Sequence, residues 1–333
     1  MKTVCVIGEG AWGTAVAILL AENGYTVKLW CHDPEVAACI ASKHVNERYL
    51  PGIKLSDAIQ PITKLEEAIC DVQWVFEAIP VQYLRSVLKN TVRCFSPEQV
   101  WVVLSKGIEH DTLLLPSQII DDVFAYETKK AVVAGPSFAH ELATKQITAV
   151  TIASTDCTVG KSLQLMLANS YFRPYISLDM IGVQIGSAIK NVITLAVGML
   201  DGAGFDDNCK AYLLTRGLDE MVKIALALGG RQETVYGLSG VGDLVLTSMG
   251  SLSRNLIVGR RLGHGDALEE ILADTGFIPE GINTTKSVYR LAQQKKLDVP
   301  ICQGVYDIIF GEKKIEQLLQ ELIERPLEQE CKV

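Results

Sequence analysis

From Ile181 to Leu200 the chain reads IGVQIGSAIKNVITLAVGML, an apolar run with one charge, Lys190, at its centre. A helix over this run spans roughly 30 Å, enough for a bilayer. Gln184, Ser187, Asn191 and Thr194 interrupt it, however, and a cation at mid-depth is costly in hydrocarbon, so it reads as the buried helix of a soluble fold. On that helix Gly186, Ser187, Lys190 and Thr194 share a face by i, i+3/i+4 spacing, and small residues there leave room for a ligand beside the ammonium. Such a lysine can pair with another helix or snorkel to the surface. It can also do chemistry: an ammonium steadies an oxygen that gains negative charge and hands it a proton, and once neutral it takes one back.

Three further groups carry chemistry. Lys106 follows the apolar run Val100 to Ser105 and precedes Gly107, the position of a side chain at a strand tip. Ser251-Leu252-Ser253-Arg254-Asn255 gathers hydroxyls, an amide and a guanidinium, and Arg254 has the fork that holds a phosphate or carboxylate bidentately. Asp243, in Ser239-Gly240-Val241-Gly242-Asp243-Leu244, opens an apolar helical stretch, where it serves either as an N-cap or in a site. With 31 Lys and Arg against 39 Asp and Glu the net charge is −8, so an anionic ligand needs a local basic pocket, which Lys106, Lys190 and Arg254 would supply. No long basic run is present, which argues against a nucleic-acid partner.

At the other end of the chain, Val4 to Ile7 is an apolar, β-branched strand. Gly8-Glu9-Gly10-Ala11-Trp12-Gly13 follows, and Thr14 to Asn23 has helical periodicity that ends at Gly24. Gly8 serves the tight turn, Gly10 admits a pyrophosphate close to the backbone, and Gly13 lets the helix pack closely, with its N-terminus toward the phosphates. Trp12 fits either the core or a bound dinucleotide. Tyr25 to Trp30 is the second strand. Its end, Cys31-His32-Asp33-Pro34, lacks the strand-tip acid that takes a ribose 2′-hydroxyl, since Asp33 falls past the strand and can cap the helix starting at Pro34. That leaves room for a 2′-phosphate, with His32 helping to accept it, and leans towards NADP over NAD.

These groups need elements to hold them. Strands at Trp74 to Ala78, Val100 to Ser105 and Ala131 to Ala134 alternate with helices, which makes a doubly wound, mostly parallel sheet. Ligands sit outside the carboxyl ends of such strands, where Ile79-Pro80, Lys106-Gly107 and Gly135-Pro136-Ser137-Phe138 fall. Ile147 to Ala153 and Phe172 to Ser177 read as closing strands around a helix, so the dinucleotide-binding domain is expected over residues 1–179. Helical runs then succeed one another at Cys209 to Leu228, Val258 to Leu262, Ala267 to Ala273, Ile282 to Lys295, Gln303 to Phe310 and Ile315 to Ile323. They predict an all-helical substrate domain over residues 180–333, with the site in the cleft between the two. The tail from Glu312 to Val333 reads as a charged helix with a frayed end.

The chain has 333 residues, more than one core usually organises; 48% are hydrophobic and 21% charged. Its nine cysteines stand singly, without metal-ligand spacing, which points to reduced thiols and no metal. No leader pattern precedes the first strand, and the expected location is cytoplasmic.

Taken together, GEGAWGTA from Gly8, the Asn46 to Gly52 loop, SKGIE from Ser105, AGPSFA from Ala134, IKN from Ile189, GVGDLVLT from Gly240 and SRN from Ser253 resemble the bacterial NAD(P)-dependent glycerol-3-phosphate dehydrogenases. The match runs from the first strand to about Glu280-Gly281. It implies a Rossmann-type domain followed by a helical domain like the C-terminal domain of 6-phosphogluconate dehydrogenase. It also implies interconversion of dihydroxyacetone phosphate and sn-glycerol 3-phosphate for phospholipid synthesis, by a homodimer. By resemblance Lys190 is the proton donor and acceptor. Lys106, Gly135, Ser137, Asp243, Ser253, Arg254 and Asn255 match substrate positions. Gly8, Gly10, Ala11, Trp12, Gly13, His32, Lys106, Ala139, Arg254 and Glu280 match cofactor positions. Two residues depart from the pattern: Glu9, where a small residue is expected and where a carboxylate would weaken cofactor binding, and Glu77 before Ala78-Ile79-Pro80. A related dehydrogenase acting on a β-hydroxyacid or sugar acid is the nearest rival reading; a non-catalytic NAD(P)H sensor is a more distant one, which leaves Lys190 and the SRN segment without a role.

Overall fold

The computed structural model describes residues 2–91 and 94–327. Its first half is built on β1 (Thr3–Ile7), whose Val4, Cys5, Val6 and Ile7 are buried on both faces, as a central parallel strand requires. The remaining strands are β2 (Thr26–Trp30), β3 (Val45–Asn46), β4 (Leu50–Lys54), β5 (Ile59–Ile62), β6 (Trp74–Glu77), β7 (Val100–Val103), β8 (Lys129–Ala134), β9 (Thr148–Ala153) and β10 (Phe172–Ser177). Eight of them form one sheet in the order β10-β9-β8-β7-β6-β1-β2-β5, while β3 and β4 make a separate antiparallel pair. All neighbours in the large sheet are parallel except β8 and β9. The sequence pattern does not announce β3, β4 and β5, because Pro51, Gly52 and Pro61 break the alternation that marks a strand; β5 is an edge strand, where proline is tolerated.

Helices α1 (Ala11–Glu22), α2 (Pro34–Lys43), α3 (Leu65–Ile69), α4 (Val81–Thr91), α5 (Pro116–Phe124), α6 (Ala139–Ala143) and α7 (Cys157–Leu167) accompany the sheet. After β10 the described chain is helical: α8 (Met180–Gly202), α9 (Asp207–Ala227), α10 (Gln232–Val235), α11 (Asp243–Met249), α12 (Arg254–His264), α13 (Leu268–Thr275), α14 (Glu280–Lys295), α15 (Pro300–Phe310) and α16 (Ile315–Ile323). A single π turn, Leu238–Gly242, leads into α11. The expected charged tail contains α16, and its end, residues 328–333, lies outside the described residues.

The helical half is organised around α8. This helix is long and apolar enough to cross a membrane, but 94% of its most apolar window is buried inside the protein. Asp179 caps it by accepting from the Gly182 amide at 2.8 Å and also takes the Arg231 amide at 2.8 Å. Its glycines work as contact surfaces for other backbones. A Cβ on Gly198 would stand 2.6 Å from the Leu256 carbonyl oxygen, and one on Gly202 would stand 1.9 Å from that of Arg260. In return, α12 offers Gly259 and Gly263, whose Cβ atoms would meet the Leu195 and Met199 carbonyls at 2.4 and 2.1 Å. The small face of α8 is therefore not open to a ligand throughout, as the spacing suggests. Gly186 packs on the π turn, where a Cβ would lie 3.0 Å from the Ser239 carbonyl oxygen. Ser187 and Thr194 spend their hydroxyls on the carbonyls of Gln184 and Lys190.

Close packing of α8 on α12 predicts that Gly259→Val, which has backbone and not a flexible side chain in its way, destabilises the fold by about 3 kcal/mol. Urea unfolding should show the loss as a lower midpoint; an unchanged midpoint would contradict backbone-to-backbone contact here.

Candidate active site

Lys190 sits on the central turn of α8, 6% exposed, among Ile189, Asn191, Ile193 and Thr194. The charged group that reaches it is Asp243. This aspartate does not cap α11; the cap position is Gly242 in the π turn, and the Asp243 carboxylate turns inward instead. One oxygen accepts from Lys190 Nζ at 3.0 Å and the other from Lys106 Nζ at 2.6 Å. Lys106 comes from the segment after β7, where Gly107 at φ +122° turns the chain in a way a side chain would resist. Two lysines from the two halves of the chain thus share one buried carboxylate.

Thr247, one turn on from Asp243, completes the cluster. Its hydroxyl donates to the Asp243 carbonyl at 2.6 Å, which leaves its lone pair to accept from Lys190 Nζ at 2.7 Å. With Asp243 and Thr247 taking two of its three hydrogens, the Lys190 ammonium keeps one donor for a substrate oxygen. Burial lowers the pKa of Lys190 to about 8; Asp243 opposes the shift and Lys106 adds to it. Burial pushes the Asp243 carboxyl up, but the two lysines outweigh it and hold it below its ordinary value. Glu280, the first residue of α14, feels Lys106, Arg254 and Lys190, yet burial keeps its pKa raised.

The SRN segment divides its labour. Ser253 is the N-cap of α12, accepting from the Leu256 amide at 3.2 Å, and is buried. Asn255 is buried and ties three helices together: its amide nitrogen donates to Asn191 Oδ1 at 2.9 Å and its oxygen accepts from the Gly281 amide at 3.0 Å. Arg254 is exposed, its guanidinium 5.3 Å from the centre of the Phe277 ring, and no carboxylate pairs with it among the described residues. Of the three, Arg254 is the group free to hold an anion.

On the sheet side, Gly135 at φ +155° ends β8, and Ser137 donates to the Gly135 carbonyl at 2.9 Å. The turn packs against the π turn, since a Cβ on Gly242 would lie 3.5 Å from Pro136 Cδ. Ala139 begins α6. At β1, Gly8 holds φ +117°, and a Cβ on Gly13 would stand 2.0 Å from the Gly8 carbonyl oxygen. A Cβ on Gly10 would meet nothing within 4 Å, so the protein itself does not need glycine there; a ligand lying against the backbone does. Ala11 and Trp12 open α1, and the Trp12 indole packs on the sheet core while its buried N–H has no protein partner. This open glycine edge and orphaned donor fit a dinucleotide.

The tip of β2 differs from the sequence reading. Asp33 does cap α2, accepting from the Glu35 amide at 2.8 Å, and His32 is exposed. A carboxylate is nonetheless present, delivered from the β1 loop by Glu9. Two contributors, Thr247 and Asn191, escape sequence reasoning; Glu9 is singled out there, but not as a group at the tip of β2. Thr247 and Asn191 carry a usable signal, one at i+4 from Asp243 and the other beside Lys190; the reach of Glu9 to His32 and Asp33 carries none, because those partners follow the neighbouring strand β2.

Comparison with known proteins bears on this geometry. Residues 3–159 match the family model for the NAD-dependent glycerol-3-phosphate dehydrogenase N-terminus, and residues 179–320 match that for the C-terminus. A glycerol-3-phosphate dehydrogenase (NAD(P)+) of Bacillus cytotoxicus is 41% identical over 327 residues, covering 98% of this chain and 96% of the relative. The chain belongs to the NAD-dependent glycerol-3-phosphate dehydrogenase family. The like-named protein of Bacillus licheniformis is 40% identical over 98% of this chain and 95% of its own length. A crystal structure of glycerol-3-phosphate dehydrogenase from Coxiella burnetii superposes with a TM-score of 0.93 at 32% identity, covering 97% of this chain and 99% of that one. The family match thus extends beyond Glu280-Gly281, where the legible motifs stop.

Because Asp243 is the group that holds Lys190 in its charged form against burial, Asp243→Asn should move the loss of the Lys190 proton further below about 8. The Nζ resonance of Lys190, followed against pH, reports it; a midpoint that stays or rises would show that the carboxylate does not control this lysine.

Proposed function

We propose that the chain interconverts dihydroxyacetone phosphate and sn-glycerol 3-phosphate with NAD(P)H, and that Lys190 is its proton donor and acceptor. The observation that carries the assignment is the Lys190 ammonium, fixed by Asp243 and Thr247 with one hydrogen uncommitted. When bound, a reduced nicotinamide would supply a hydride to the C2 carbonyl carbon. As the carbonyl oxygen gains charge, Lys190 donates to it and then releases the proton, and Lys106 adds a second positive charge nearby. In the reverse direction neutral Lys190 takes the proton from the hydroxyl. Arg254 holds the phosphate, so that binding energy remote from the reacting carbon positions it. Asn255 acts by fixing α12 to α8 and α14, and Gly8, Gly10, Ala11, Trp12, Gly13, Ala139 and Glu280 border the dinucleotide.

In this reading residues 1–179 bind the dinucleotide and residues 180–333 the substrate. A homodimer in the cytoplasm, supplying glycerophospholipid synthesis, is the setting we propose; the resemblance supports it.

Lys190→Ala should abolish turnover while dinucleotide binding, measured by titration, survives; near-normal turnover would remove Lys190 from its role. Since oxidation needs the neutral amine and reduction the ammonium, the oxidation rate should rise with pH through about 8 and the reduction rate should fall there. Arg254→Ala should raise KM for the phosphorylated substrate about a hundredfold with a smaller effect on kcat, as for a lost charge-assisted contact; an unchanged KM would place the phosphate elsewhere.

A further inference from the structure

Glu9 stands between the first two glycines of the β1 loop, yet its side chain ends at the tip of β2. One carboxylate oxygen accepts from the His32 amide at 3.2 Å and the other from the Asp33 amide at 3.1 Å. Its own backbone is pinned from two sides: its carbonyl accepts from Thr14 Oγ1 at 2.9 Å and from Asn46 Nδ2 at 2.7 Å. The residue is 7% exposed, so the carboxylate is a built part of the loop and not a mobile surface group. Asp33, whose amide donates to Glu9, is itself paired with Arg48. The two negative charges are felt locally: the Cys31 thiol is raised to about 12 by burial first, and then by Glu9 and Asp33.

A dinucleotide whose pyrophosphate lies along the glycine loop brings its adenosine ribose to the tip of the second strand. A 2′-phosphate placed there needs backbone amides or cations. Here both amides are taken by a carboxylate, and Arg48 is paired with Asp33. A 2′-hydroxyl meets the opposite situation, because each Glu9 oxygen has a lone pair left after its amide bond and can accept a hydrogen bond from it. We propose that Glu9 sets the choice of dinucleotide in this chain, accepting from the ribose 2′-hydroxyl of NAD and excluding the 2′-phosphate of NADP. On this proposal the lean towards NADP read from Cys31-His32-Asp33 alone gives way to NAD, because Glu9 is counted at that tip. The expectation that Glu9 weakens cofactor binding then holds only for the phosphorylated form.

The proposal rests on the dinucleotide reading of the glycine loop and not on the reaction, so binding is the readout. Calorimetric titration of the full chain with NADH and with NADPH should give a Kd for NADPH at least about tenfold the higher, as charge repulsion against an occupied anion site requires. Glu9→Gln keeps an oxygen for the amides but removes the charge; it should tighten NADPH about tenfold while NADH changes by no more than about threefold. Equal affinities in the wild type would overturn the proposal without any variant, as would a folded Glu9→Gln chain with an unaltered ratio. Binding of neither dinucleotide would overturn the cofactor reading of the loop, and this proposal with it.

Discussion

Everything at the centre of this protein depends on one carboxylate placed between two ammonium groups. Asp243 is 2% exposed and Lys190 6%, and burying either alone would be prohibitive. Together with Lys106 they form a cluster of two ammonium groups and one carboxylate whose members satisfy one another, with a surplus of one positive charge within the three. An anionic substrate balances that surplus. The pairing also explains how an acidic chain, net charge −8, keeps a positive group in its interior: two lysines share the Asp243 carboxylate.

Such a cluster needs its carriers fixed to a fraction of an ångström, and the chain achieves this by backbone contact. Lys190 and Asn191 lie on α8, Asp243 and Thr247 on α11, Arg254 and Asn255 on α12. Gly186 brings α8 against the π turn ahead of Asp243, and Gly198 and Gly202 bring it against α12. Helices that meet through glycine cannot slide past side chains, so the lysine, the aspartate and the asparagine keep their spacing. On the sheet side the same economy appears at Gly13, pressed on Gly8, while Gly10 in the same loop faces open space.

Much of this is legible in sequence, and the limits have physical causes. Lys190 stands out because a lone charge in an apolar helix demands a partner, and the Gly8 to Gly13 spacing follows from steric needs local to one turn. The central sheet strands are legible because a parallel sheet buries both faces and writes continuous apolar runs. Edge strand β5 and the β3–β4 pair escape, since proline and glycine interrupt their pattern. Asp243 leaves the choice between an N-cap and a site residue open in the sequence, because the π turn that lies ahead of it and turns its carboxylate inward is announced by no local pattern. Gly186 reads as space for a ligand when it is space for Ser239 and Gly240. Glu9 is the plainest case: its position in the chain places it beside a pyrophosphate, whereas its hydrogen bonds place it at the end of a different strand.

The central claim, that Lys190 acts as a proton carrier and not merely as a structural cation, is tested most directly by chemical rescue. In the Lys190→Ala chain, small primary amines added to the medium should restore part of the lost turnover, with a rate that grows with amine basicity in the reduction direction only as far as the protonated fraction allows. Rescue by ammonium-type donors but not by a quaternary amine of equal charge would bear the account out. Equal rescue by the quaternary amine, which carries charge but no proton, would contradict it and leave Lys190 as an electrostatic group alone.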